Sequence, residues 1–272
     1  MNHLTVIVTG ASSGIGLAAA AGFARAGARV ALVGRDPDRL DAAVSRVRSA
    51  AGPDTPPRGF RADFDRLAEV RRLADELAEA YPRIDVLCNN AGGIVHERQS
   101  TVDGHERTIQ ANHLAPFLLT NLLRERLRDG RVVNTASDAH SGGSLDPADL
   151  SSPGRFRPMG VYGSSKQANI LFAVEAARMW PDILSTSYHP GVVRTRFGRE
   201  SPLYRVFYQS APFLRTPEQG ADTMQWLSTV DRSAVVNGGY YVKRKLTRAS
   251  GIAADPAAAE ALWAASIAAV GL

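Results

Sequence analysis

The chain contains a single cysteine, Cys88, among its 272 residues, so no intramolecular disulfide can form. Such sparing use of cysteine is typical of proteins that fold in a reducing compartment, and we predict a cytoplasmic location. No apolar run approaches the roughly 18 residues that a membrane-spanning helix needs. The first apolar run, Leu4 to Val8, ends before Gly10. It is too short for a signal peptide, and we interpret it as a first strand.

Concentrated positive charge and metal-ligand patterns are also scarce. The formal net charge is +5, but basic and acidic residues alternate instead of forming a basic stripe. The short run Lys243-Arg244-Lys245 is interpreted as solvated charge at the end of a strand, so no nucleic-acid-binding surface is predicted. The six histidines never form a pair four residues apart beside a carboxylate. We therefore predict no metal site.

The most specific local pattern lies in the first thirty residues. The apolar run Leu4 to Val8 leads into a turn containing Gly10, Gly14 and Gly16, and an alanine-rich segment then runs to Gly27. A strand, a glycine-rich turn and a helix in this order are typical of a dinucleotide-binding unit. Glycines let the backbone come close to a ligand, and the free N–H groups at the start of the helix can bind a pyrophosphate.

The residues after the second predicted strand indicate which dinucleotide is bound. This strand, Arg29 to Val33, is followed by Gly34, Arg35 and Asp36. NAD enzymes usually place an acid here for the ribose hydroxyls, whereas the forked cation of Arg35 suits a 2′-phosphate. Asp36 precedes Pro37 and fits equally well as the N-cap of the next helix. We therefore predict NADP(H) rather than NAD(H), and the strictness of that preference stays open.

A phenol and an ammonium group, Tyr162 and Lys166, lie four residues apart on a predicted helix from Gly160 to Met179. At this spacing both side chains can face one cleft. A phenol ordinarily has a pKa near 10, and a nearby cation lowers the pKa toward neutrality. The pair therefore indicates a proton-transfer group with its own tuning charge. The same spacing also arises by chance, so the interpretation depends on a redox cofactor being bound nearby.

The rest of the chain alternates β-type and α-type segments, including a long predicted helix over 105–128 with Asn112 near its middle. Such alternation predicts an α/β fold, a doubly wound parallel (Rossmann) sheet of about seven strands with helices on both faces. No linker or repeat divides the chain, so residues 1–272 are interpreted as one domain. Ligands of such sheets bind at the carboxyl ends of the strands. Several candidate residues follow predicted strands: Gly10, Arg35, Asp63, 89–92, Ser137 and 190–191.

These motifs occur together in one chain: Thr9-Gly10-x3-Gly14-x-Gly16, Asn89-Asn90-Ala91-Gly92, Asn112, Ser137 and Tyr162-x3-Lys166. In this combination the sequence resembles the short-chain dehydrogenase/reductase family from about residue 4 to its end. The segments that begin at Asn112, Tyr162 and His189, and the closing pair Leu262-Trp263, are most similar to the retinol-dehydrogenase-like branch.

The resemblance implies a role for each member of a catalytic tetrad. Tyr162 would exchange a proton with the substrate oxygen, and Lys166 would lower the pKa of Tyr162 and hold the nicotinamide ribose. Ser137 would bind the substrate oxygen, and Asn112 would hold a water that links Lys166 to solvent. The resemblance also implies further cofactor-binding residues: Ser12, Ser13, Gly14, Ile15, Gly16, Asp63, Phe64, Asn90, Ala91, Gly92, Pro190, Gly191, Val193 and Thr195.

Residues 196–215 are rich in aromatic and aliphatic side chains and directly follow the predicted cofactor-binding run that ends at Thr195. They are interpreted as an apolar lid over a lipophilic substrate, with packing of a short helix or a subunit contact as equal alternatives.

The functional hypothesis is an NADP(H)-dependent oxidoreductase that interconverts a carbonyl and an alcohol. The alternative is a non-catalytic NADP-binding sensor or scaffold. In such folds two helices, here about 105–128 and 161–180, often pair between subunits, so a homodimer or homotetramer is expected.

Overall fold

Eight strands form one sheet in the computed structural model, which describes residues 4–151, 155–193 and 214–272. Their order across the sheet is β3-β2-β1-β4-β5-β6-β7-β8, and all neighbours are parallel except β7 and β8. The strands are β1 (Thr5–Thr9), β2 (Arg29–Gly34), β3 (Arg58–Arg61), β4 (Val86–Asn89), β5 (Arg131–Thr135), β6 (Leu184–His189), β7 (Tyr240–Val242) and β8 (Lys245–Thr247). The order reverses between β1 and β4, which confirms the predicted doubly wound sheet.

The basic run at 243–245 is exposed and directly follows the end of β7, as expected for solvated charge at the end of a strand. Lys243 and Arg244 have φ angles of 51° and 63° and form a tight turn between β7 and β8. Arg244 is ion-paired with Asp222. The charges therefore lie on the turn of a short antiparallel hairpin at the edge of the sheet, and Lys245 begins its second strand.

Helices connect the strands and cover both faces of the sheet. They are α1 (Gly14–Arg25), α2 (Pro37–Arg48), α3 (Leu67–Ala80), the composite helix α4 (107–122), α5 (Pro158–Met179), α6 (Pro217–Thr229) and α7 (Pro256–Val270). Helices α1, α2 and α6 pack on one face, and α3, α4 and α5 pack on the other. Helix α7 lies against α5, where the Trp263 ring centroid is 5.0 Å from that of Phe117 on α4.

Helix α4 departs from the continuous helix expected over 105–128. It begins with Arg107–Ile109, continues as a π-helical turn over Gln110–Leu114 and returns to α-helix over Ala115–Leu122. The Glu106 side chain caps its first turn by accepting the Ile109 N–H. A π-helical turn inserts an extra residue per turn and is frequently found at functional sites. Asn112 is in the middle of this turn.

Side-chain caps begin both α2 and α6. The Asp36 carboxylate accepts the Arg39 N–H at 2.9 Å. Asp36 is therefore the N-cap of α2, which was one of its two predicted roles. Thr216 begins α6 with a capping box, in which its hydroxyl accepts the Gln219 N–H and the Gln219 side chain accepts the Thr216 N–H. Such caps satisfy helix N–H groups that have no partner within the helix.

Candidate active site

Residues from three separate elements meet beside the carboxyl ends of β4 and β5. Asn112 on α4 donates to the Ser165 hydroxyl on α5 at 3.0 Å. Lys166 on α5 donates to the carbonyl of Thr135, the last residue of β5, at 3.0 Å. The fold therefore brings Asn112 and Lys166 together with the strand end that precedes Ser137.

Lys166 is the buried cation of this region. The residue is 3% exposed, and its Nζ lies 5.4 Å from the centroid of the Tyr162 ring. Burial lowers the pKa of Lys166 to about 8, because an ammonium loses hydration when it leaves water. One turn of helix thus places a partly desolvated cation beside the phenol ring, as the Tyr162–Lys166 spacing predicts.

The carboxamide of Asn112 is held on both of its polar atoms. Its nitrogen donates to the Gly93 carbonyl and the Ser165 hydroxyl, and its oxygen accepts the Gly93 N–H at 2.9 Å. A Cβ on Gly92 would lie only 2.8 Å from that oxygen, so the loop after β4 and the π-helical turn pack in direct contact. The water-holding role implied for Asn112 stays a prediction.

The Ser137 side chain is half-buried at the start of a short helical segment, Asp138–Gly142. Its hydroxyl accepts the Ala139 N–H at 3.2 Å. The segment packs closely on α5, since a Cβ on Gly163 would lie 2.5 Å from the Ala139 carbonyl oxygen. Ser137 therefore lies on a segment that touches the same turn of α5 as Tyr162.

The glycine-rich turn after β1 is a close-packed cradle. Gly10 has a φ of 66°, and a Cβ there would lie 2.9 Å from Ala91 Cα. A Cβ on Gly16 would lie 2.5 Å from the Gly10 carbonyl oxygen. The Asn90 side chain donates to the Thr9 carbonyl at 2.9 Å and ties this turn to the loop after β4. Larger side chains would fill the space at the start of α1.

The start of α1 fits an anionic ligand. Its N-cap residue, Ser13, makes no side-chain capping hydrogen bond, and its first turn contains no acidic residue. The first N–H groups of a helix have no partner within the helix and carry partial positive charge. The residues predicted to surround a pyrophosphate, namely Ser12, Ser13, Gly14, Ile15 and Gly16, form this turn.

Arg35 immediately follows β2, and its side chain is 55% exposed. The guanidinium Nη1 is 3.7 Å from the Asp63 carboxylate and 3.4 Å from the Asp65 carboxylate. Phe64, between these acids, is buried. Because Asp36 caps α2 and also pairs with Arg39, its carboxylate is engaged within its own helix. The Arg35 guanidinium therefore lies between the end of β2 and two carboxylates, and its binding of a 2′-phosphate stays a prediction.

The predicted site residues after β6 lie partly within the described chain. Gly191 has a φ of 85°, and Arg215 packs so closely that a Cβ on Gly191 would lie 2.5 Å from Arg215 Cδ. Arg215 also donates to the Pro190 carbonyl at 3.0 Å, and Val193 is buried. Thr195 and residues 196–213 of the predicted lid lie outside the described residues.

Two contributors to the site carry no recognisable signal in the sequence. The Thr135 carbonyl accepts hydrogen bonds from both Lys166 Nζ and the Asn169 side chain, the latter at 3.1 Å. Asn169 lies in the segment beginning at Tyr162 that resembles the retinol-dehydrogenase-like branch, but neither Asn169 nor Thr135 was predicted to belong to the site. A backbone carbonyl acts independently of residue type, so only its position at the end of β5 could have pointed to it.

Comparison with known proteins identifies the family. The sequence profile of the short-chain dehydrogenase family matches residues 4–203. The chain belongs to the short-chain dehydrogenase/reductase family. A protein of Streptomyces sp. (strain C5), provisionally named as the daunorubicin C-13 ketoreductase DnrU, is 52% identical over 268 residues, which are 98% of this chain and 92% of that protein. Human retinol dehydrogenase 14 is 35% identical over 100% of this chain and 88% of its own length, which confirms the resemblance to the retinol-dehydrogenase-like branch.

Solved structures of this family share the fold. The Pseudomonas aeruginosa RhlG/NADP active-site complex aligns with a TM-score of 0.69 and 28% identity, over 88% of this chain and 94% of that one. This short-chain dehydrogenase/reductase is therefore an oxidoreductase of a family that binds nicotinamide cofactors. Within the described ranges no helix is long and apolar enough to cross a membrane. The same residues contain no cluster of three or more potential metal-ligating side chains.

Proposed function

We propose that this protein is an NADP(H)-dependent oxidoreductase that interconverts a carbonyl and an alcohol, with Tyr162 as the general acid and base. The observation that carries the proposal is the position of Lys166. Its buried ammonium lies 5.4 Å from the centroid of the Tyr162 ring and is bonded to the strand end that leads to Ser137. A buried cation beside a phenol favours the phenolate, which is the state the phenol reaches when it gives up its proton.

Each residue of the tetrad then has a defined task during reduction. The Ser137 hydroxyl donates a hydrogen bond to the substrate carbonyl oxygen and orients it. Tyr162 donates its proton to that oxygen, and the Lys166 ammonium stabilises the phenolate that remains. Asn112 holds the loop after β4 against α5 and so fixes the wall of the cleft. In the oxidative direction Tyr162 accepts the alcohol proton.

The nicotinamide cofactor supplies or accepts the hydride when bound. The start of α1 would hold its pyrophosphate, and Gly10 and Gly16 leave room for the backbone to approach it. Arg35 would bind the 2′-phosphate, and Lys166 would contact the nicotinamide ribose. The names of the similar proteins, a ketoreductase and a retinol dehydrogenase, both denote carbonyl–alcohol conversion and support this assignment.

The direct test is NADPH oxidation by the purified protein, followed at 340 nm, with a panel of apolar aldehydes and ketones. We expect turnover with at least one lipophilic carbonyl compound and little with small hydrophilic ones. Tight NADPH binding without turnover on the whole panel would instead favour the non-catalytic sensor or scaffold. Failure to bind either nicotinamide cofactor would contradict both hypotheses.

Arg35→Ala is expected to reduce the affinity for NADPH roughly 10- to 100-fold, because a charge-assisted hydrogen bond to phosphate contributes about 1.5–3 kcal/mol. Affinity for NADH should be unchanged, since NADH lacks the phosphate. Fluorescence titration with both cofactors measures the ratio. The matched control is Arg83→Ala, an arginine of 57% side-chain exposure near the opposite end of the sheet. An equal loss of NADH affinity in Arg35→Ala would remove the assigned role.

Helix α7 covers part of the surface through which subunits are expected to pair. Helices α4 and α5 are partly covered by α7 of the same chain through Trp263 and through Ser266, which contacts His113 at 2.8 Å. A homodimer or homotetramer that pairs through α4 and α5 would therefore use the part of their surface that α7 leaves uncovered. Light scattering on a size-exclusion column measures this state directly.

A further inference from the structure

The peptide unit that joins Ser137 to Asp138 is held on both of its polar groups by imidazole rings. Nδ1 of His140 is 2.7 Å from the Ser137 carbonyl oxygen. On the other side of the peptide, Nδ1 of His189 accepts the Asp138 N–H at 3.3 Å. Both histidines are buried, at 5% and 7% exposure, although they lie on different elements.

The partners of the remaining ring nitrogens determine the protonation of both rings. The Ser250 backbone N–H points to His140 Nε2 at 3.2 Å, so this nitrogen must accept. His140 therefore carries its proton on Nδ1 and donates to the Ser137 carbonyl. His189 is the reverse case, because Nδ1 accepts a backbone N–H and Nε2 lies 3.0 Å from the Asp138 carboxylate. Its proton is on Nε2, so the hydrogen bonds place the two rings in opposite tautomers.

The surroundings of His189 favour its neutral form. Burial is the main cause that lowers the pKa of His189; His140 and Arg215 act in the same direction, and the Asp138 carboxylate opposes them. From β7, the Tyr240 hydroxyl donates to Asp138 at 3.4 Å, and its ring lies edge-on to His140 at 5.2 Å. Burial and the neighbouring Asp138 carboxylate raise the pKa of Tyr240, so its hydroxyl stays protonated.

We propose that His140 and His189 act as an imidazole clamp that positions Ser137 for catalysis and holds only while His189 is neutral. The inference rests on the function proposed above, because it takes Ser137 as the residue that binds the substrate oxygen. Neither histidine is placed against substrate or cofactor, so both are positioning residues. The hydroxyl of Ser137 is one rotatable bond from the backbone, and its direction depends on how firmly the next peptide is held.

Protonation of His189 would open the clamp. A second proton on His189 would sit on Nδ1 and face the Asp138 N–H, so two donors would oppose each other. Since the backbone N–H cannot turn round to accept, the ring must move. We therefore expect kcat/KM to fall as the pH decreases below about 6.5, the ordinary pKa of histidine.

The experiment compares pH profiles of kcat/KM for the wild-type protein, His140→Asn, His189→Asn and the double variant. Asparagine does not titrate. It retains an acceptor in place of Nδ1 at position 189 and a donor in place of Nδ1 at position 140. We expect turnover at pH 7.5 within about tenfold of wild type and a flat profile below neutrality in the double variant. His189→Leu, which removes the acceptor, should lower kcat by roughly 10- to 100-fold with unchanged NADPH affinity.

The matched control is His105→Asn, because His105 bonds to the Ala269 carbonyl on α7 and has no hydrogen bond to the peptide between Ser137 and Asp138 in the described part of the chain. It should leave the acid limb of the profile unchanged. An acid limb that persists unaltered in the double variant would overturn the inference, and so would a wild-type profile that is flat down to pH 5.

A readout that needs no turnover separates this inference from the proposed function. Long-range ¹H–¹⁵N NMR spectra of the imidazoles report tautomers directly, and we expect Nδ1–H for His140 and Nε2–H for His189. Any other tautomer overturns the clamp whatever the activity. Both tautomers as expected, with no turnover on any carbonyl compound, would show that the proposed function has failed and that the clamp has no catalytic purpose.

Discussion

Tyr162→Phe is expected to lower kcat by roughly 10²- to 10⁴-fold, the range that general acid catalysis contributes, while NADPH binds as in the wild type. Phenylalanine retains the ring that lies beside Lys166 but has no proton to give to the substrate oxygen. Steady-state kinetics and fluorescence titration with NADPH measure the two quantities separately. The result distinguishes an enzyme from a protein that only binds the cofactor.

The matched control for this substitution is Tyr81→Phe. Tyr81 is 2% exposed, and its ring packs against Phe60 at 6.0 Å. Its hydroxyl has no hydrogen-bond partner among the described residues, so its loss should leave both turnover and cofactor affinity unchanged. Equal activity of Tyr162→Phe and the wild type would show that another group supplies the proton.

Lys166→Met is expected to abolish most turnover and at the same time to stabilise the fold at neutral pH. Burial lowers the pKa of Lys166 from 10.5 to about 8. At neutral pH, keeping this group charged in the folded state therefore costs about 3 kcal/mol. Methionine fits a similar volume without charge, and the Thr135 carbonyl keeps its hydrogen bond from Asn169. We expect a rise in Tm of roughly 2–4 °C per kcal/mol gained, against a loss of kcat of about 10²-fold or more.

The pH dependence of stability provides a second measurement on the same variant. Because the folded pKa of Lys166 is lower than the unfolded one, the unfolded chain binds more protons between about pH 8 and pH 10.5. The free energy of unfolding of the wild type should therefore gain a contribution that rises with pH through this window. Lys166→Met should lack that rise, whereas Lys243→Met, an exposed lysine on the β7–β8 turn, should keep it. A lower Tm in Lys166→Met would contradict the burial argument.

Some elements could be predicted only in part because local residue types did not indicate their backbone. Asn112 was correctly expected near the middle of the helix over 105–128. Nothing in the residue types there indicated that the backbone forms a π-helical turn at Gln110–Leu114. The β8 strand was missed because Lys243 and Arg244 adopt positive φ angles that their residue types rarely show. In both places the surrounding packing and pairing override the local preference.

The sequence by itself determined the alternating order of strands and helices, the glycine turn before α1 and the Tyr162–Lys166 spacing. Each depends on periodicity or on residues a few positions apart, where local chemistry dominates. Only the tertiary structure decided that Asn112 meets Ser165, that Lys166 reaches the Thr135 carbonyl, and that His140 and His189 hold the peptide after Ser137. Apart from the bond between His140 and the Ser137 carbonyl, these contacts join residues that are 31 to 53 positions apart, several through backbone atoms. Their geometry arises when parallel strands end at one edge of a sheet and helices pack across it.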